Sequence, residues 1–301
     1  MCEASAFAPG HLTGLFQICD QYSNPLQKGS RGSGVSLDIG VHTLVKAEKA
    51  EKHNWTIKIN GNYTSEAFVS ENVLRQFKHH LPSPMTISVE HNVETPMVAG
   101  FGSSGGGALS LALALNAASN TGLTRLEASQ IAHIAEIECR TGLGSVFAAE
   151  RGGFGVLTEP GAPGIGKAIS YPNSGRLRAV YVFFGSIYTK EALGNPALRV
   201  KINEMGGRFV DELERDPTPE LFMSLSRRFT EHIGLVTPRL RILFDRMDAA
   251  GFTFSMAMFG EVAFAVMDKN MAIEAAKALE EASQGYEAVV LGIDDEGAKV
   301  F

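Results

Sequence analysis

Residues 100–107, Gly100-Phe101-Gly102-Ser103-Ser104-Gly105-Gly106-Gly107, run directly into the apolar ALSLALALNAAS of residues 108–119. Five glycines and two hydroxyls therefore stand at the start of a helix. Glycine lets a ligand approach the backbone closely, and the first turn of a helix offers unpaired N–H groups and the positive end of its dipole. The chemistry suits a phosphate. In a second reading, Ser103 or Ser104 is an N-cap and the glycines only form a tight connection. That accounts for one serine. It leaves Gly105, Gly106 and Gly107 in or near a first turn, where each costs up to about 1 kcal/mol relative to alanine. No lysine follows the glycines, so this is not a Walker A loop. Gly100, Gly102 and Gly105 satisfy G-x-G-x-x-G, but VETPMVA at 93–99, with Glu94 and Pro96, stands where a dinucleotide fold needs a buried strand.

Working outward, 301 residues of 45% hydrophobic content are enough to bury a sizeable core, in two domains or one large one. A net charge of -6 leaves no footprint for nucleic acid or an anionic membrane. Cys2, Cys19 and Cys139 are odd in number and form no C-x-x-C pair, so neither a disulfide framework nor a zinc site is expected, and a reducing cytoplasm fits. The start, MCEASAFAPGH, has no basic region followed by an apolar one, and no run approaches the roughly 18 apolar residues of a membrane span.

β-branched content and alternation predict strands over Ser36–Ala47, Trp55–Ile59 and Thr86–His91, and a helix over Glu71–His80. Two helices follow the glycine loop, about Ser104–Ser119 and Thr124–Arg140, the second opened by a Thr124/Glu127 capping box. The prolines and glycines of residues 159–175 read as a linker, placing a domain boundary near 160–175. Beyond it, residues 177–185 read as a buried strand, with helices over Thr189–Arg215, Pro219–Gly234 and Pro238–Ala250. Residues 252–268 read as a strand pair, followed by a helix over Asn270–Ser283 and a last strand over Tyr286–Ile293. The result is an α+β sandwich with a βαβ-like end.

The order of motifs then becomes informative: APGHLTGLF near the N-terminus, PMVAGFGSSGGG in the middle, and a glycine-containing strand pair near the C-terminus. Together they resemble the GHMP kinase superfamily over essentially the whole chain. PGHLTGLFQI with GSRGSGVSLDIGV is similar, more narrowly, to the archaeal pantoate kinases, which phosphorylate pantoate with ATP on the way to coenzyme A. The resemblance implies a two-domain α+β fold, with an ATP/Mg²⁺-binding α/β domain over 1–165 and a ferredoxin-like α+β domain over 166–301. It implies ATP on Gly100, Gly102, Ser103, Ser104, Gly105, Gly106 and Gly107. Mg²⁺ would lie between Ser104 and a glutamate of IAHIAEIECR, with Glu136 chosen over Glu138. A homodimer is compatible with it.

Several family members carry an aspartate near the reacting hydroxyl, in the loop after that helix. Here the loop is Gly142-Leu143-Gly144-Ser145, with Ser145 in the aspartate's place. A serine hydroxyl is no general base near neutral pH, although it orients a substrate hydroxyl. His11, Asp38 and Glu138 are the replacement bases to weigh. Another substrate of the same fold, or a catalytically silent nucleotide-binding protein, is the alternative. Pantoate carries a carboxylate, for which Arg31 in GSRGSG is the expected clamp, the other reading being a solvated arginine on a mobile loop. His11, Thr13 and Ser33 are expected to line the same pocket. In place of the superfamily's G-x-G-G-G the chain has SMAMFGEV, whose Met256, Met258 and Phe259 are expected to be core packing.

Overall fold

The computed structural model describes residues 2–186 and 194–301. In chain order its elements are strands β1 (Cys2–Cys19), β2 (Gly29–Lys49), β3 (Asn54–Ile59) and β4 (Asn62–Tyr63), helix α1 (Phe68–Phe77) and strand β5 (Met85–Val93). Helices α2 (Ser103–Ser119), α3 (Arg125–Cys139) and α4 (Ser145–Arg151) follow, then strands β6 (Phe154–Glu159), β7 (Lys167–Ser170) and β8 (Leu177–Ser186). Helices α5 (Pro196–Arg215), α6 (Pro219–Ile233) and α7 (Pro238–Ala249) lead to β9 (Ser255–Met256), β10 (Gly260–Asp268), helix α8 (Lys269–Ala282), β11 (Val289–Gly292) and β12 (Lys299–Val300).

The first sheet has the order β12-β1-β2-β5-β3-β4, with β6 on the free half of β2 and β7 on β6. β1 and β2 form a long antiparallel hairpin whose register shifts between Pro9 and His11 and again between Thr13 and Leu15. The two halves of the hairpin do different work. Residues Val41–Lys49 of β2 pair with β5, whose strict buried/exposed alternation leaves one apolar face for α1, α2 and α3. Residues Gly32–Val35 pair with β6 instead, and there Leu12, Leu15, Phe16 and Val35 join the core of the second sheet.

That second sheet runs β11-β8-β10-β9, all neighbours antiparallel. β10, α8 and β11 thus form a split βαβ unit with β8 between its strands, the ferredoxin-like arrangement. Three of its helices start at proline behind a capping side chain. Asn195 accepts from the Ala197 and Leu198 N–H groups, Thr218 from Leu221, and Thr237 from Leu240. The Asn195–Pro196 pair explains why α5 begins at Pro196. The earlier part of the helix expected from Thr189 includes residues 189–193, which lie outside those described.

Other differences are local. Residues 2–19, read only as a motif, form a full-length strand, and GSRGSG, which has the composition of a loop, is the first part of β2. The stretch 159–175 carries β7, which pairs with β6, so strand pairing continues past residue 165; β12 also returns to the first sheet. No helix among the described residues is long and apolar enough to cross a membrane.

Two polar devices hold this frame. Asn203 on α5 accepts from the Ile18 N–H at 2.8 Å and donates to the Ile18 carbonyl at 3.2 Å, completing the edge of β1 as a neighbouring strand would. His91 on β5 lies 2% exposed beneath α2. One proton arrangement satisfies the whole chain of groups. Ser70 donates to His91 Nε2, and Nδ1–H donates to Thr43 Oγ1, which donates to Ser110 Oγ. Ser110 then donates to the Gly106 carbonyl at 2.8 Å.

Asn203→Ala leaves a buried Ile18 N–H unpaired and is expected to lower stability by about 1–3 kcal/mol, read from equilibrium urea unfolding. Burial lowers the His91 pKa from 6.5 to about 4. Between these values the unfolded chain takes up a proton that the folded one refuses. His91 therefore contributes stability at neutral pH that is lost as pH falls towards 4, by at most about 1.4 kcal/mol per pH unit. Urea midpoints measured from pH 7 to 4 should fall, and His91→Gln should make the slope shallower by one proton.

Candidate active site

Helix α2 opens at Ser103 behind Gly102, an N-cap with φ +64° and no side-chain cap bond. The capping reading of the two serines is therefore corrected. Ser103 Oγ bonds Thr95 Oγ1 at 2.9 Å, and the Ser104 hydroxyl reaches Glu136. Gly100, at φ +83°, precedes this turn, and the Phe101 carbonyl accepts from the His11 N–H at 2.8 Å. The loop is thereby docked on the bulge of β1, with the first turn of α2 facing an open cavity.

Glu136, on α3, is 1% exposed. Thr141 Oγ1 donates to its Oε1 at 2.5 Å and Ser145 Oγ to its Oε2 at 2.8 Å, with Ser104 as a third hydroxyl partner. Burial pushes the carboxyl pKa up, and the hydroxyls of Thr141, Ser104 and Ser145 pull it down. This crowding explains Gly105. A Cβ there would lie 2.5 Å from Ser145 Oγ and 3.2 Å from Glu136 Oε2. Glu138 is exposed on α3 and accepts from Asn72 Nδ2 at 3.0 Å.

No cluster of three or more His, Cys, Asp or Glu that could hold a metal occurs among the described residues. Glu136 and Ser104 nonetheless fit a hard cation that completes its shell with phosphate oxygens, since Mg²⁺ commonly takes one or two carboxylates. The buried carboxylate has only neutral hydroxyls among its hydrogen-bond partners.

A cavity of about 600 Å³ is lined by Ser104, Thr141 and Ser145, with Glu136 buried behind these hydroxyls and not itself at the wall. One arm, lined by Ile59, Phe68, Val69, Val93 and Met97, is mostly apolar. The middle is the loop from Gly100 to Ser104, with Gly107. Gly105 and Gly106 are buried behind it. The other arm is floored by the first sheet, where one register row runs Thr13–Gly34–Gly155–Ser170 across β1, β2, β6 and β7. Its two adjacent glycines carry no side chain, and the His11 ring lies over the first, 2.5 Å from where a Cβ of Gly34 would stand. His11 and Thr13 line the arm at one end; burial lowers the His11 pKa to about 4, so its ring is neutral. Ser33 lines it too, its Oγ donating to the Gly155 carbonyl at 2.9 Å.

Arg31 does not line the cavity. Strand alternation turns it away from Ser30 and Gly32, and its guanidinium donates to the Thr158 carbonyl, Gln17 and Asp211 at 2.7, 3.2 and 2.5 Å, with Glu214 at 3.9 Å. The expectation of a carboxylate clamp at Arg31 is thus corrected by its position. Among the described residues lining the cavity, the single Lys or Arg is Arg151, which sequence reasoning missed. It donates from Nε and Nη2 to Ser170 Oγ at 3.1 and 2.9 Å, at the far end of the glycine floor, and makes no salt bridge among the described residues.

Two of the replacement bases are also out of reach. Asp38 accepts from the Gly292 N–H at 2.9 Å and, like Glu138, does not line the cavity. Met258 and Phe259, expected only as packing, are 4% and 5% exposed and line the cavity as well, while Met256 is core alone.

Residues 62–153 match the GHMP kinases N-terminal domain family. The chain is 35% identical to the pantoate kinase of Methanocaldococcus jannaschii over 88% of its length and 93% of that protein. It is 31% identical to the pantoate kinase of Thermococcus kodakarensis over 94% and 93%. A solved structure described as a phosphotransferase related to the CoA biosynthesis pathway superposes with a TM-score of 0.88 at 30% identity, covering 99% of this chain and 98% of that one. The chain therefore has the fold of a small-molecule kinase and belongs to the pantoate kinase family of the GHMP kinases.

Proposed function

We propose that this protein transfers the γ-phosphoryl group of Mg-ATP to the primary hydroxyl of pantoate. The observation that carries the proposal is the cavity itself, which brings together a helix N-terminus, the hydroxyls of Ser104, Thr141 and Ser145 that cover the buried Glu136, and Arg151, the one Lys or Arg among the described lining residues, along a row that includes Gly34 and Gly155. The apolar arm at Phe68, Val69 and Met97 takes the base. The N–H groups of the first turn of α2 hold the phosphates.

Mg²⁺, held by Ser104 and Glu136 with the phosphates, supplies neutralisation of phosphoryl charge when bound. Phosphoryl transfer proceeds through a loose transition state, so positioning and electrostatics supply most of the acceleration. The chain's residues meet that need without an aspartate at 145. The Ser145 hydroxyl hydrogen is committed to Glu136 Oε2, which leaves its oxygen as an acceptor for the substrate hydroxyl. Arg151 offers a planar fork to the substrate carboxylate. Neutral His11 supplies a further hydrogen-bonding nitrogen beside Thr13 and Ser33.

ADP release from Mg-ATP should be seen with pantoate and not with mevalonate, homoserine or shikimate. ATP binding without turnover on any of these would instead identify a silent nucleotide-binding protein. Glu136→Gln should lower kcat on pantoate by about 10²–10³-fold, as loss of one charge-stabilising group does, and raise the Mg²⁺ concentration needed for half-maximal rate.

Arg151→Ala should raise the KM for pantoate about 10- to 150-fold, the equivalent of about 1.5–3 kcal/mol for a charged hydrogen bond. It should leave the KM for ATP nearly unchanged. Arg31→Ala should lower the urea midpoint with a smaller effect on that KM; the reverse ranking would return the clamp to Arg31.

A further inference from the structure

Phe259 holds a backbone conformation that an aromatic residue avoids, with φ +64°. Left-handed backbone of this kind costs an L-residue roughly 1–2 kcal/mol, and such strain clusters where a site uses it. A tight turn between β9 and β10 imposes it. Ala257 N–H donates to the Val262 carbonyl at 3.0 Å, Gly260 N–H to the Ala257 carbonyl at 3.3 Å, and Met258 N–H to the Thr13 carbonyl at 3.3 Å.

The turn sets the Phe259 ring edge-on against Phe16, centroids 6.0 Å apart, and Phe16 in turn packs edge-on against Phe229 at 5.9 Å. Phe259, Phe16 and Met258 all line the cavity, beside Thr13 and Gly32. They make an apolar wall at the β1 end of the glycine floor, with Arg151 at its β7 end. The row from Thr13 to Ser170 spans three strand spacings, about 14 Å between backbones, before the side chains narrow it. A small acid with a branched apolar centre fits between a cation and such a wall.

We propose that Phe259, supported by Phe16 and Met258, determines specificity by packing against the two methyl groups on the quaternary carbon of the acceptor. The proposal rests on the reading of pantoate as substrate, whose third carbon carries those methyls between its two hydroxyl-bearing carbons. A hydroxy acid lacking them leaves the wall unfilled, and one missing methylene in an apolar pocket is worth about 10- to 200-fold in kcat/KM.

The test compares kcat/KM for pantoate and for 2,4-dihydroxybutanoate, which has the same hydroxyls and carboxylate without the methyls. The parent protein should prefer pantoate. Phe259→Gly, which fits the turn, should cut that preference by about 10- to 100-fold, mainly through the KM for pantoate, and Phe259→Leu should restore most of it. Met258→Ala opens the same wall without altering the turn residue and carries the comparison if Phe259→Gly does not fold. An unchanged ratio accompanied by a lower Tm would show that Phe259 only fills the core and would overturn this proposal alone. No turnover of pantoate by the parent protein would overturn the assigned reaction and this proposal with it.

Discussion

A carboxylate taken out of water with only hydroxyls to hold it is the constraint from which the site follows. Glu136 accepts from Thr141, in the loop between α3 and α4, and from Ser145, the first residue of α4, with the Ser104 hydroxyl in the first turn of α2 as a third partner. An unpaired buried charge costs several kcal/mol, so these contacts must all be close, and their closeness excludes a side chain at Gly105. The glycines of the loop thus answer two demands. Gly102 turns the chain left-handed into the helix, and Gly105 lets the helix press against the loop that carries Ser145.

The long β1–β2 hairpin transmits that local arrangement to the rest of the molecule. Its register breaks at Pro9–His11, so one half lies against the helices that carry Glu136 and Ser104 and the other against the second sheet. His11 stands at the break, its N–H bonded to the Phe101 carbonyl of the glycine-serine loop and its side chain in the cavity. The cavity therefore belongs to neither half alone. It contains side chains from both cores because the same two strands run through both.

What could be read from the sequence divides along the same line. The helix opened by the glycine-serine loop, the Thr124/Glu127 capping box and the strand pair at 252–268 were legible, since each depends on residues within a few positions of one another. The clamp expected at Arg31 came from the resemblance, and the direction of its side chain was not legible because GSRGSG has the composition of a mobile loop. Only pairing with Cys19–Thr13 on one side and β6 on the other makes it a strand, and only then is the direction of Arg31 fixed. Arg151 was overlooked for the converse reason. In sequence it is an arginine before two glycines at a helix end, and the register row that it meets at Ser170 joins β1 and β2 to β6 and β7, more than a hundred residues further on. β1 and β12 were likewise set by long-range pairing that no short window contains.

Ser145 shows how the departure from the family's aspartate is compatible with the geometry. An aspartate in that place would set a second carboxylate against Glu136 Oε2, where the serine now donates at 2.8 Å. Two carboxylates at such separation do not both ionise readily, and the proton they share would leave neither free as a strong base without a nearby cation. The serine replaces repulsion by a hydrogen bond and leaves Glu136 as the one carboxyl group of the cluster. It gives up general-base catalysis, which contributes typically about 10²–10⁴-fold, in a reaction whose loose transition state draws more on charge neutralisation and alignment. In the proposed reaction the helix N-terminus, the Glu136 cluster and Arg151 would position or neutralise charge, and His11, whose pKa burial lowers, would stay uncharged.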